Sequence, residues 1–342
     1  MARNIETVGH AHARKNADLK SDAPSDVSTH GAAIGRCRID EESDEAQTAM
    51  SHFITYLALE GRSRASAAQV MTRYRELFTE KCFSIRAAED GSAIEEKPFV
   101  LLLDDIAVAV MFVERPLPLD ACEEALALDI VWPEARQTMM ECHAHAIVAL
   151  IGDPREHLAA LNGAAAVTLV AGALADLLEA PALVSSEGRV VMKRADFMPL
   201  AVALADLEPP VPFWTSIAFF SAPDDGGGQK RIGAASYGLQ PFIGRELEFQ
   251  PAALQPYEIA RRLVGLFQYL ILNGPVIEDD DTVGVTKEEK IRARLAPQGR
   301  RPGLPIIELT LERLDDHAPP ATFRQSGAPA SGSRKVFGKR GL

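Results

Sequence analysis

The run Phe99-Val-Leu-Leu-Leu-Asp-Asp-Ile-Ala-Val-Ala-Val-Met-Phe-Val113 decides how this chain is read. Two apolar runs separated only by Asp104-Asp105 predict a β-hairpin, because a two-residue polar step is the shortest connection between antiparallel strands. Upstream, Phe53-Ile-Thr-Tyr-Leu-Ala-Leu59 has strand composition and is ended by Gly61. Between the two, Val70, Met71, Tyr74, Leu77 and Phe78 recur at helical spacing. That spacing predicts an amphipathic helix over 66–79 with Ser66 as its N-cap. Downstream, Pro116 and Pro118 break the hairpin, and a helical region runs through Trp132-Pro-Glu-Ala135 to Glu141. His145-Ala-Ile-Val-Ala-Leu-Ile151 is the next strand. The order β-α-β-β-α-β predicts an α+β protein whose first half, 50–152, is ferredoxin-like.

The second half, 153–314, reads as another α+β layer of mainly antiparallel strands and helices sharing one core with the first. Pro154 suits the first turn of a long, Ala-rich helix to about Leu178, whose apolar run from Ala164 reads as buried. Ala182–Ser185 is a short strand, and Asp196 caps a helix to about Leu207. After the stiff connector Glu208–Pro212, runs at 214–220 and 232–239 form a hairpin around Asp224-Asp-Gly-Gly-Gly228. Glu246–Phe249 continues the sheet, and Tyr257–Leu272 is an amphipathic helix stopped at Asn273-Gly274-Pro275. The last strands are 282–285 and 306–311.

Residues 1–49 lack helical or strand periodicity and cannot bury enough apolar surface to offset ordering, so they predict a disordered arm. Met50 is an alternative start. The segment from 315 onward is rich in Pro, Ala, Ser and Gly and predicts a disordered, basic tail. Residues 316–342 carry Arg324, Arg334, Lys335, Lys339 and Arg340 against Asp316 within a chain of net charge -12. The folded part is therefore more acidic than the total, which argues against nucleic acid as its partner, since phosphate contacts need cations. No run approaches the roughly 18 uninterrupted apolar residues of a membrane span, and no apolar segment follows the N-terminus as in a secretory signal. Cys37, Cys82, Cys122 and Cys142 include no C-x-x-C pair and read as reduced thiols, which points to the cytoplasm.

No phosphate-binding loop, dinucleotide fingerprint, H-E-x-x-H or G-x-S-x-G is present, which counts against the commonest enzyme classes. His10 and His12 lie in the arm without a third ligand. Cys142, His143 and His145 form the most metal-like cluster, since i and i+2 share a strand face, with Glu141 and His157 the nearest further donors. The plainer reading is that His145 is a hydrogen-bonded strand residue. Trp132 and Glu134 could mark a ligand platform, yet Pro133 and an acid at a helix start complement the dipole without one. The segment 279–294 is the most distinctive. Asp279–Asp281 form a polar loop, and Thr286-Lys-Glu-Glu289 matches a capping box. Lys290, Arg292 and Arg294 then alternate and share one face of an extended segment, where they could hold an anion or pair with neighbouring acids.

Asn273-Gly-Pro-Val276, Asp281-Thr-Val-Gly284, Glu289-Lys-Ile-Arg292 and Pro302-Gly303 resemble the C-terminal signature of a bacterial family of domains of unknown function, number 4261. Trp132-Pro-Glu134 and Ala144-His145 resemble its middle region, so the likeness runs over about 53–311. Asp279-Asp280 departs from the Asp-Gly that such proteins carry before Asp-Thr. The resemblance implies a bacterial cytoplasmic protein and supplies no activity. The functional expectation is a non-enzymatic binding or interaction module without a cofactor, engaging a protein partner through its surface and the tail ending Phe337-Gly-Lys-Arg-Gly-Leu342. The alternative is an enzyme or small-ligand sensor with an anion site at Lys290, Arg292 and Arg294 near His145, with a metal-dependent version of it as a third reading.

Overall fold

The computed structural model describes residues 53–78, 82–88, 98–222, 230–284, 289–313 and 324–325. The N-terminal arm, the 224–228 loop, Thr286 and nearly all of the C-terminal tail lie outside the described residues. The first half contains β1 (Ile54–Leu59), α1 (Ala67–Phe78), β2 (Ile85–Ala87), β3 (Phe99–Leu103) and β4 (Ile106–Val113). A 3₁₀ turn at Leu119–Cys122 leads into α2 (Glu123–Leu128), α3 (Ala135–Glu141) and β5 (Ala144–Leu150). Then come α4 (His157–Leu177), β6 (Ala182–Ser185), β7 (Val190–Lys193), α5 (Arg194–Ala205), α6 (Val211–Trp214), β8 (Ser216–Ser221) and β9 (Ile232–Tyr237). The chain continues with α7 (Gln240–Ile243), β10 (Glu246–Ala252), α8 (Pro256–Asn273), β11 (Thr282–Gly284), β12 (Lys290–Ala296), β13 (Ile306–Arg313) and β14 (Arg324–Gln325). Those last two residues, in a segment expected to be disordered, pair with β11.

The mixed α+β class holds, and the β3–β4 hairpin forms with Leu103 opposite Ile106. Asp104 takes φ 51 in its turn and accepts hydrogen bonds from the Ser84 backbone N–H and hydroxyl. The ferredoxin-like arrangement does not. The first sheet runs β2-β3-β4-β5-β1-β6-β7 and is antiparallel throughout, with β5 between β4 and β1. The physical reason is β2, three residues long and too short to show a period in sequence. It adds one more pass of the chain after α1 and pairs with β3. β3 therefore runs opposite to β1, whereas the ferredoxin-like order needs the strand after the first helix to run parallel to the first.

Alternation assigns the two faces of this sheet. Leu57, Leu59, Leu101, Val108, Val110, Ala146 and Val148 turn inward to α1 and α4, while Ala58, Ala182, Val184 and Val191 meet Trp132, Ala135 and Met139 on the other face. α4 is long and apolar enough by composition to cross a membrane. Its residues from Ala160 to Ala175 are instead almost all buried among α1, α5 and the sheet. The second sheet runs β14-β11-β12-β13-β10-β9-β8, with only the β10–β13 pair parallel. Its inward residues, among them Leu247, Phe249, Ile291, Ala293 and Leu309, pack with the amphipathic face of α8 in the same apolar cluster as the first sheet.

Helix ends mostly follow local chemistry. Ser66 and Gln69 satisfy each other's backbone N–H at α1, and Gln255 with Glu258 forms a capping box at α8. Asp196 sits in the first turn of α5 behind an N-cap at Lys193, not at the cap itself. Thr286 of the expected capping box lies outside the described residues, and β12 starts at Lys290, directly after Glu289. Glu289 is buried and accepts from Arg262 of α8 at 2.6 and 3.0 Å.

Candidate binding cleft

The residues singled out by sequence separate onto two faces. Lys290, Arg292 and Arg294 lie on β12 opposite the core-facing Ile291 and Ala293, so the alternation places them together as expected. Arg292 already holds Glu312 through two hydrogen bonds of 2.9 and 3.0 Å, and donates to the Asp280 carbonyl at 2.8 Å. Arg294 stands opposite Glu308 in the ladder. His145 is far from this strand in the topology: it is buried on β5, and its ring donates from Nδ1 to the Arg115 carbonyl at 2.8 Å. His143 is exposed, Cys142 is buried with its thiol against the Thr138 carbonyl, and His157 bonds the Phe242 carbonyl. Among the described residues no group of three or more His, Cys, Asp or Glu side chains is placed to hold a metal. Burial, with help from Glu60 and Glu141, pushes the Cys142 thiol up to about 11. Glu134 is exposed at the N-cap of α3 and makes no capping bond.

Of the sequence candidates, Trp132 lines a sizeable cavity. A cleft of about 370 Å³ lies between the free edge of the first sheet, β7, and the start of the free edge of the second, β8. All four β7 residues line it, with Thr215 and Ser216 across from them and Ile130, Val131 and Trp132 at its apolar wall. This wall comes from local chemistry. Asp129 ends α2, and its Oδ1 accepts from the N–H groups of Val131 at 2.8 Å and Trp132 at 3.1 Å. That Asx turn projects Ile130 and Val131 outward, 87% and 85% exposed, while Trp132 folds back against the sheet. The other carboxylate oxygen, Oδ2, is buried without a hydrogen-bond partner, as is the Ser216 hydroxyl. Two unsatisfied polar atoms in one cleft require an explanation, since each costs about 1–3 kcal/mol when left unpaired.

Two cations border the cleft. Lys193 places its ammonium 5.2 Å from the centre of the Trp132 ring. Arg189 pairs with Glu124, and its guanidinium lies 4.2 Å from the centre of the Tyr237 ring. Tyr237 is also covered by Arg301 at 4.0 Å and so joins the cleft to a second cavity of about 200 Å³ on the second sheet. Glu246, Glu248, Arg300 and Phe220 line that cavity, with the Arg300 guanidinium 3.9 Å over Phe220. Glu246 is almost wholly buried. It accepts from the Ser236 hydroxyl and from the N–H groups of Gly238, Leu239 and Gln240, so it closes the turn into α7. Burial nevertheless pushes its carboxyl above the ordinary range, against the downward pull of those donors and Arg301.

Sequence reading missed Arg189, Lys193, Asp129, Ser216 and the Tyr237–Arg301 stack. The signal that was available is Asp129-Ile-Val-Trp132, where an Asx turn exposes two aliphatic residues ahead of an aromatic one. The remaining residues come from segments distant in sequence and share no local pattern.

Comparison with curated proteins returned no match, and neither did comparison with solved structures. One family model matches, over residues 235–307. That stretch runs from β9 into β13 and contains Tyr237, Glu246, Glu248, Arg300 and Arg301 as well as the β12 cations, whereas Trp132 and β7 lie outside it. The C-terminal motifs thus carried the resemblance correctly: residues 235–307 match the model of the family described as Domain of unknown function (DUF4261).

Proposed function

We propose that the protein is a non-enzymatic binding module and that its ligand occupies the cleft between β7 and β8. The observation that carries this reading is the pair of buried, unpartnered polar atoms, Asp129 Oδ2 and Ser216 Oγ, in a cleft with an apolar wall and two bordering cations. A concave apolar site with a few convergent polar groups is the usual form of a binding site. The chemistry selects a ligand with an apolar body, a hydrogen-bond donor for Asp129 and an anionic group for Lys193 and Arg189. Trp132 supplies a reporter. The chain has two tryptophans; the other, Trp214, is buried with its indole N–H donating to Thr168. In a Trp214→Phe background, titration with 4-phenylbutyrate should shift Trp132 emission, and 4-phenylbutylamine should not. Adding Lys193→Ala and Arg189→Ala should weaken the carboxylate about tenfold, equivalent to ~1.4 kcal/mol. Equal response to acid and amine, or no response, would remove this reading.

A second reading puts an anion on Lys290, Arg292 and Arg294. Their shared exposed face on β12 supports it; the two acids already held by Arg292 weigh against it, because a ligand would have to displace them. Isothermal titration with inorganic phosphate decides: heat lost in an Arg292→Ala, Arg294→Ala double variant would favour it.

A further inference from the structure

The β7 edge carries an additional consequence, which rests on the cleft reading above. Among the described residues β7 is the terminal strand of its sheet and pairs only with β6. The Arg194 N–H donates to the Pro181 carbonyl, which sets the phase of the ladder. In an antiparallel pair the bonded positions alternate, so Met192 and Val190 bond to β6 through Leu183 and Ser185. The N–H and C=O of Val191 and the N–H of Lys193 therefore point away from β6, while the Lys193 carbonyl, at the N-cap of α5, takes the first bond of that helix. These are residues of a strand that lines the cleft along its whole length.

We infer that the cleft receives an extended peptide segment of a partner protein, which adds to β7 as a further antiparallel or parallel strand. Main-chain donors and acceptors at strand spacing are what such an edge recognises, and side chains alternating along the added strand supply specificity. Three features fix the chemistry of that segment. Ile130 and Val131 stand beside the edge almost fully exposed and offer an apolar contact for one face of the segment. Lys193 has the Trp132 ring as its partner, and no ion pair to a carboxylate is formed by it among the described residues, so an acidic side chain on the segment gains a counter-charge there. Asp129 Oδ2, beside that apolar contact, and Ser216 Oγ accept from polar groups of the segment. The partner is thus a strand-forming sequence with apolar residues and at least one acid.

Lys193 allows a clean test. Its φ is -63°, ψ 145°, a conformation that proline adopts without strain. Lys193→Pro therefore removes the outward N–H and the charge while preserving the fold, and Lys193→Ala removes the charge alone. The full chain would be panned against a phage-displayed random heptapeptide library, and enriched peptides measured by fluorescence polarisation. Enriched sequences should combine apolar residues with an acid, and Lys193→Pro should weaken them at least tenfold beyond Lys193→Ala. An independent readout leaves the protein untouched: N-methylation of every second amide of the peptide should abolish binding in one phase and spare it in the other. The inference is overturned if no peptide is enriched, or if affinity ignores both Lys193→Pro and N-methylation. It is likewise overturned if the chain forms a dimer that Lys193→Pro converts to monomer, which would assign the edge to a second copy. A 4-phenylbutyrate response at Trp132 without peptide binding removes the strand inference and leaves the cleft; loss of both removes both.

Discussion

Glu246 gathers one hydroxyl and three backbone N–H donors on a carboxylate that solvent barely reaches. Its folded value lies above the ordinary 4.5, with burial as the largest cause, so the sign of its pH dependence follows. The unfolded chain ionises first. The contribution is therefore fully present below about 4.5 and is lost as pH rises through the folded value. Urea unfolding of the wild type and Glu246→Gln between pH 4 and 8 should show the wild type losing stability relative to the variant as pH rises. A relative gain with pH would mean that the four donors outweigh burial. Little of this was visible in sequence, where Glu246 is one acid in an alternating strand. His145 was readable as a hydrogen-bonded strand residue, because its neighbours fix its burial. Its acceptor, the Arg115 carbonyl, is thirty positions away, beyond any local pattern.

α8 and β12 are locked by Arg262 and Glu289, whose side chains are 3% and 0% exposed. Arg262 also donates to the Glu258 carbonyl within its own helix. Breaking such a pair from one side leaves a buried charge uncompensated, which costs about 3–5 kcal/mol, whereas replacing both partners with apolar groups of similar volume is often neutral. Glu289→Ala should therefore lower the unfolding free energy by about 3–5 kcal/mol in guanidinium denaturation, and Arg262→Met with Glu289→Leu should recover most of it. A single variant that costs less than ~1 kcal/mol would show that the pair does not secure these elements. The helices were read well: α1 and α8 carry periodic apolar faces and local caps, and both depend on neighbours within a turn or two. Thr286 of the capping box expected at 286–289 lies outside the described residues, and Glu289 there is held by Arg262. The short β2 and β7 were missed because three or four residues display no period, and they are strands only because a neighbour offers a ladder.

The two sheets meet beside the cleft at the backbone of Trp214. An added Cβ at Gly188, in the β6–β7 turn, would lie 2.7 Å from the Trp214 carbonyl oxygen, and one at Gly238, after β9, would overlap that same oxygen. Gly238 also has φ +92, which side chains rarely adopt. Three segments from two sheets are thus held at backbone contact. Gly238→Ala should lower stability by at least ~2 kcal/mol. It should also reduce the Trp132 response to 4-phenylbutyrate in the Trp214→Phe background, because displacing this joint moves β7 relative to β8. An alanine variant as stable as wild type would show that the joint tolerates separation. The ferredoxin-like expectation failed at this same scale: the number of passes the chain makes, not the order of its long elements, sets which strands are neighbours. The sequence by itself determined what periodicity and local hydrogen bonding control: the α+β class, the long helices, the β3–β4 hairpin and the burial of α4; of the family resemblance read over about 53–311, the family model matches 235–307. Only the tertiary structure decided strand order, the pairing of Glu289 with Arg262 and the cleft between β7 and β8. Each of these depends on contacts between residues far apart in the chain, whose free energy no local pattern encodes.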